Sequence, residues 1–347
     1  MLSKVLSLLL FTFGTTSSFD PYSPGPFKTK YTSYSSLWNL GLSNDIDVWA
    51  PDTNEPLVSP IIYMVGGFGG LLPGSAYYTL LNRIASFGFT IVQPWMLGNN
   101  PVTNYQGVWL NDVMDWVEIH LQDKLENEEI GYGLVIDHDS KFLMSHSSGG
   151  HIVVEFLKHN CRDIKGQILF SPVDGFDPYG IVDIYAITPG QYLNYEIPSL
   201  ILMCGLEALP GLDGLGNLVP PCAPEEKSNM RFFNAMAGNT WLVNATDYGH
   251  CDALEQSVID IIQLSHFCSA APKDADRDAY RSFVSGEVVS FIDFILGDEA
   301  CQTGDYIQDP TLMPVSTTVL RKDSFLTHPS HCKQTHCKWQ EDPFTKP

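Results

Sequence analysis

The chain has 347 residues, 44% of them hydrophobic, with 40 acidic against 19 basic side chains and a net charge of −21. That length and apolar content suit one large domain or two small ones and exclude an unstructured chain. The acidity argues against nucleic-acid binding, which needs clustered Lys and Arg, and against anionic membrane surfaces.

Residues 1–18 carry Lys4, an apolar run from Val5 to Phe13, and then Gly-Thr-Thr-Ser-Ser. The run is shorter than the ~20 residues of a membrane span, so it reads as a cleaved secretory leader. The expected product is a secreted protein beginning near Phe19, with no integral membrane segment. Residues 19–58, rich in Pro, Ser, Tyr and Asp, predict an opening strand or two on a sheet edge. Pro60–Val65 predicts a buried strand ending in the loop Gly66-Gly67-Phe68-Gly69-Gly70. Tyr77, Leu80, Leu81, Ile84 and Phe87 recur at helical spacing, and Gly88 supplies a C-terminal cap. Thr90–Gln93 predicts a strand stopped by Pro94, and Val113, Trp116, Val117, His120 and Leu121 a second amphipathic helix.

The next segment is the most informative. Lys141-Phe-Leu-Met-Ser-His-Ser-Ser-Gly-Gly-His151 runs from an apolar strand through a tight turn at Ser147 into Ile152, Val153, Val154, Phe156 and Leu157 at helical spacing. A serine on a sharp strand-to-helix turn, followed by glycines that avoid clashes, is the nucleophile elbow of α/β-hydrolases. Further strands are expected at Gly166–Phe170, Ser199–Cys204 and Trp241–Val243, with a closing helix at Phe283–Leu296. Alternating strands and helices give a mostly parallel central sheet with helices on both faces, the α/β-hydrolase fold, over residues 19–297. Residues 298–347 read as an irregular, cysteine-containing C-terminal extension.

All eight cysteines fall after residue 160, and an even number in a secreted chain predicts disulfides. Cys204, in an apolar strand, also fits a buried thiol. Cys332 and Cys337 read as disulfide partners in preference to a zinc cluster with His331 and His336, so no metal is expected. Asn244-Ala245-Thr246 is a glycosylation sequon.

A serine hydroxyl becomes nucleophilic only when an oriented base takes its proton, and these hydrolases present Ser, acid and His in that chain order. Ser147 is the candidate nucleophile. His250, just beyond the last predicted strand, is the candidate base; His146 and His151 read as structural, and His120 and His159 as helix residues. For the acid, Asp174 in Ser171-Pro-Val-Asp174-Gly is favoured, Glu207 after the following strand is the alternative, and Asp177 is a third candidate. The oxyanion donors are expected to be the backbone N–H groups of Ser148 and Phe68. Gly66–Gly70 could also suggest phosphate binding, but no Lys follows it and no dinucleotide fingerprint appears, so no cofactor is expected.

At these motifs the sequence resembles the chlorophyllase family, serine esterases that remove phytol from chlorophyll. The likeness covers most of residues 58–297. It includes Ile61–Gly70, Tyr78–Phe89, the elbow His146-Ser147-Ser148-Gly149-Gly150 and Pro172-Val173-Asp174-Gly175. Pro220-Pro-Cys-Ala-Pro224 with Phe232-Phe233, and Asp247-Tyr-Gly-His-Cys-Asp252, are its most specific parts. In departures from the family pattern, Ser145 replaces the elbow glycine, Ser148 an arginine, and Ser171 the first aspartate of D-P-V; Gly205–Leu218 is longer. The resemblance implies a cofactor-free esterase converting chlorophyll to chlorophyllide and phytol through an acyl-enzyme. Phe68, Leu71, Leu72, Trp95, Met96 and Leu97 read either as the lining of an apolar cleft or as core. A general lipase or esterase, and a non-catalytic pigment- or lipid-binding protein on the same fold, are the rival expectations.

Overall fold

The apolar runs separated by Gly- and Pro-rich turns assemble into one mixed sheet. The computed structural model describes residues 19–96, 107–160, 162–176, 184–212, 218–265, 268–297 and 301–323. The proposed leader, Leu97, Cys161, Asp177 and the tail with His328, His331, Cys332, His336 and Cys337 lie outside them. The strands are β1 (Thr29–Tyr34), β2 (Asp45–Pro51), β3 (Leu57–Val65), β4 (Thr90–Trp95) and β5 (Leu134–His146). They continue with β6 (Ile164–Phe170), β7 (Ser199–Cys204), β8 (Thr240–Ala245) and β9 (Thr317–Lys322). Their order is β1-β2-β4-β3-β5-β6-β7-β8-β9. The strands from β4 to β8 in that order are parallel, and β1, β2 and β9 join antiparallel at the edges.

Helices cover both faces, as the sequence implies. One side carries α2 (Trp109–Asn127), α3 (Gly149–His159) and α4 (Asn229–Ala235); the other carries α1 (Tyr78–Ala85), α5 (Gln256–Ser265) and α6 (Arg277–Leu296). The alternation of a strand divides β3 between the two cores. Ile61, Tyr63 and Val65 pack with Val113, Ile152 and Phe156, while Ile62 and Met64 pack with Leu80, Phe283 and Phe291. Each of these side chains is almost fully buried, which by area contributes roughly 1.5–3 kcal/mol per large apolar residue.

Three local expectations change. Pro94 does not stop its strand: β4 continues to Trp95, with Pro94 opposite Ile46 of the antiparallel neighbour. The last strand is β9 and not the Trp241 segment. It comes from the stretch read as irregular, which also carries α7 (Cys301–Gln308). Asn244 lies inside β8, laddered on both sides with its side-chain oxygen buried, which argues against a glycan there. Cys222 and Cys268 form a disulfide, and Cys204 and Cys251 are buried thiols.

Candidate active site

The chain goes from β3 to β4 on one side and then to β5 on the other, so the loops after β3 and β5 open a crevice at the carboxyl edge. The β3 loop brings Gly67 to Gly70, and β5 brings Ser147. Ser147 has φ of 57°, a left-handed conformation in which a non-glycine residue is strained and held by its surroundings. Its N–H donates to the Phe170 carbonyl at 3.1 Å, and its carbonyl accepts from Gly150 and Val173, each at 2.9 Å. After Ser148 the next two residues, Gly149 and Gly150, must be glycine. A Cβ on Gly149 would lie 2.3 Å from the Val65 carbonyl oxygen, and one on Gly150 2.7 Å from the Pro172 ring. Ser145, where the elbow's first glycine belongs, is fully buried within β5.

His250 enters from the loop after β8. The turn before it needs glycine, since a Cβ on Gly249 would sit 2.1 Å from the Ser269 carbonyl oxygen. Asp252 clamps the same turn, accepting from Gly249 N–H and Ala271 N–H at 2.7 Å and from Arg277 Nε at 3.0 Å. In the sequence only the place of Asp252, two residues after His250, signals this role. So held, the His250 ring meets Ser147 Oγ through Nε2 at 2.8 Å and Glu207 Oε2 through Nδ1 at 3.1 Å.

Glu207, in the turn after β7, is buried and fixed at its other oxygen. Oε1 accepts from Cys204 N–H at 3.1 Å and from Asn229 Nδ2 at 2.5 Å, which leaves Oε2 facing the imidazole. A carboxylate can only accept, so Nδ1 carries the proton and Nε2 presents its lone pair to the serine hydroxyl. Asn229, on α4, was not singled out from the sequence.

Asp174, the favoured acid, faces elsewhere. Its Oδ1 accepts from His151 Nδ1 at 2.9 Å and Ala186 N–H at 2.7 Å. Its Oδ2 accepts from Ile187 N–H at 3.1 Å and pairs with Arg231 Nε at 2.8 Å. The partner of His250 is therefore Glu207 and not Asp174. The side chain of Asp174 is saturated by donors that tie the 184–187 segment to α3 and α4. Ser171 is also inward, its Oγ 2.9 Å from Cys204 Sγ on the neighbouring strand.

His146 is buried beside Ser147 and is used as a strut. Tyr77 Oη accepts from Gly67 N–H at 2.8 Å and donates to His146 Nδ1 at 2.9 Å, so His146 Nε2–H donates to the His250 carbonyl at 3.0 Å. Burial first, and then the nearby His250, push the His146 pKa down to about 3, so the ring stays neutral. The chain Gly67–Tyr77–His146–His250 thus links the β3 loop to the histidine loop. In the sequence Tyr77 marks only a helix face.

Phe68 and Ser148 line a small cavity with Ser147, Phe176 and His250, of about 70 Å³. Phe68 has φ of 54°, and its ring is half exposed at the mouth. The disulfided Cys222 and Cys268 and the Cys251 thiol form part of the wall. The space is far below the ~300–1,000 Å³ of pockets that enclose a whole ligand. A wider cleft of about 560 Å³ at Ile187, Gln191, Glu226 and Arg231 is lined, among the described residues, by no Ser, Cys or His. Among the described residues, no group of three or more His, Cys, Asp or Glu is arranged to hold a metal, and no helix is long and apolar enough to cross a membrane.

The sequence profile described as chlorophyllase matches residues 25–324. Chlorophyllase-1 of Arabidopsis thaliana is 27% identical over 262 residues, covering 74% of this chain and 78% of the relative. Chlorophyllase-2 of the same plant is 29% identical over 250 residues, covering 69% and 74%. The protein named Chlorophyllase-1, chloroplastic, of Citrus sinensis is 28% identical over 280 residues, covering 78% of each. The nine-stranded sheet with helices on both faces is the α/β-hydrolase architecture, and with the match over residues 25–324 this chain belongs to the chlorophyllase family.

Proposed function

We propose that the protein is a serine carboxylic-ester hydrolase acting on chlorophyll-like esters, with Ser147 as nucleophile, His250 as base and acid, and Glu207 as the orienting carboxylate. The observation that carries this is the continuous hydrogen-bonded line Ser147–His250–Glu207, at 2.8 and 3.1 Å, on an elbow turn. His250 Nε2 takes the proton as Ser147 Oγ adds to the ester carbonyl. The oxyanion is met by the backbone N–H groups of Ser148 and Phe68, each such donor being worth about 3 kcal/mol in related chemistry. His250 then returns the proton to the leaving alcohol, and water attacks the acyl-enzyme by the same route. Glu207 holds Nδ1–H throughout and balances the imidazolium. The site is one strand over from Ser171, where the family resemblance puts its aspartate. The Oε2 of Glu207 meets His250 from the end of β7.

The cavity has room for the ester group and its immediate neighbours, so a bulky pigment ester would bring only its ester end inside. Hydrolysis of chlorophyll a and p-nitrophenyl butyrate by wild type and Ser147→Ala tests the reading. Release of chlorophyllide that disappears in the variant is expected; turnover that survives Ser147→Ala would refute the mechanism, and butyrate cleavage alone would refute the pigment substrate.

We also read residues 1–18 as a secretory leader, although the Citrus sinensis relative is named chloroplastic. The Cys222–Cys268 disulfide supports an oxidising compartment. Recovery from the medium of an expressing eukaryotic culture, with a new terminus near Phe19, is expected; retention with an intact Met1 would count against it.

A further inference from the structure

We propose that the β1–β2 turn is a docking surface for uncharged or zwitterionic lipid, set on the face of the molecule where Ser147 emerges. The inference rests on the lipophilic ester substrate proposed above. β2 runs antiparallel to β4 with Asp45 opposite Trp95, the last residue of β4. Because β4 is parallel to β3 and β5, the turn before Asp45 projects from the same carboxyl edge as the catalytic elbow.

The turn presents Leu37, Trp38 and Leu40 at 83%, 85% and 98% exposure, which is unusual for three large apolar residues within four positions. The presentation is built in. Asp45 Oδ1 accepts from Ser36 N–H at 2.7 Å, Ser36 Oγ at 2.8 Å and Ser35 Oγ at 3.1 Å. Asn39 Nδ2 donates to the Ser35 carbonyl at 2.8 Å, and buried Leu42 anchors the far side in the core. The apolar tips are thus held outward by a polar frame. Phe68 and Val108, also more than half exposed, belong to loops leaving the same sheet edge.

Charge selects the occupant. Residues 31–44 contain no charged side chain, in a chain whose net charge is −21. An anionic lipid surface would be repelled by the whole molecule and would find no basic residue in the turn, whereas a neutral one meets only Trp, Leu, Ser and Asn. Trp is the side chain best suited to the boundary between head groups and acyl chains. A hydrolase whose cavity admits only the ester end of a lipophilic molecule gains from holding its mouth against the phase in which that molecule is dissolved.

The test is co-sedimentation of the full chain carrying Ser147→Ala, so that turnover plays no part, with phosphatidylcholine vesicles. Binding is expected. It should fall at least tenfold on adding Leu37→Ser, Trp38→Ser and Leu40→Ser together, several-fold with Trp38→Ser alone, and weaken when anionic phosphatidylglycerol is mixed in. Far-UV circular dichroism and the melting temperature of each variant establish that the fold is intact. A Ser147→Ala protein left in the supernatant, as a protein-binding patch would leave it, would overturn the proposal. So would loop variants that bind like their parent, or tighter binding to the anionic vesicles. Vesicle binding without ester turnover in wild type would sink the hydrolase reading alone; butyrate turnover without vesicle binding would sink the docking surface alone.

Discussion

Two buried carboxylate–histidine pairs lie close to the elbow, and they differ in everything but the pair itself. At the end of β6, Asp174 holds His151; at the end of β7, Glu207 holds His250. Asp174 is shared among an imidazole, a guanidinium and two backbone N–H groups, so its charge is spent on tying segments together. Glu207 directs one oxygen to its own turn and to Asn229 and keeps the other for His250, whose second nitrogen reaches a strained serine. On the proposed mechanism, burial and an imidazole partner do not mark the working acid. What the far nitrogen of that imidazole touches does.

The sharpest break in the comparison is Ser147→Ala, which should lower kcat by at least about a thousandfold, as removal of an activated nucleophile does elsewhere. Burst-phase ester kinetics would register it. Glu207→Gln should come next, lowering kcat by roughly 10³–10⁴ through loss of imidazolium stabilisation and of the fixed tautomer while leaving the chain folded. Asp174→Asn should do the opposite. It removes the charge facing Arg231 and turns one of the two oxygens, which accept separately from Ala186 N–H and Ile187 N–H, into an NH2 donor. Unfolding in urea should therefore show about 2–4 kcal/mol of lost stability, with kcat within a few-fold of wild type.

Smaller effects refine the picture. Tyr77→Phe removes the hydroxyl that links Gly67 to His146 and should cost about tenfold in kcat with KM little changed, since it loosens the oxyanion loop and not substrate contact. Far from the site, burial lifts the Glu287 carboxyl from 4.5 to about 8, against the opposing hydrogen bond from Tyr22. The folded chain therefore holds a proton there that the unfolded chain releases, so stability falls as pH rises from 4.5 to about 8. Glu287→Gln should flatten that part of the pH profile of denaturant midpoints; an unchanged slope would assign it to another group.

The elbow and the histidine loop are readable in sequence because contiguous residues dictate both turns. Gly149, Gly150 and Gly249 are each forced by a carbonyl or ring within 3 Å of a missing Cβ, and that need is written into short motifs. The acid is not readable that way. Asp174 and Glu207 both follow buried strands, and only the packing of chain 23 and 43 residues away decides which histidine each meets. The strand β9 escaped for a related reason. Thr317–Lys322 has two polar ends and alternating half-exposed residues, and it becomes a strand because the edge of β8 is there to pair with. The carboxyl-terminal stretches of the central strands, Ile61–Val65, Phe142–Met144 and Ile168–Phe170, are apolar and buried on both faces and carry their own signal.

The central claim is that Glu207 orients the imidazole that activates Ser147. The most direct measurement is the rate at which a fluorophosphonate labels Ser147 in the wild type, Glu207→Gln and Asp174→Asn proteins under conditions where all three are folded. A loss of two or more orders of magnitude in Glu207→Gln, with Asp174→Asn labelled nearly as fast as wild type, is the expected result. Wild-type labelling in Glu207→Gln together with a collapse in Asp174→Asn would contradict it and return the orienting role to Asp174.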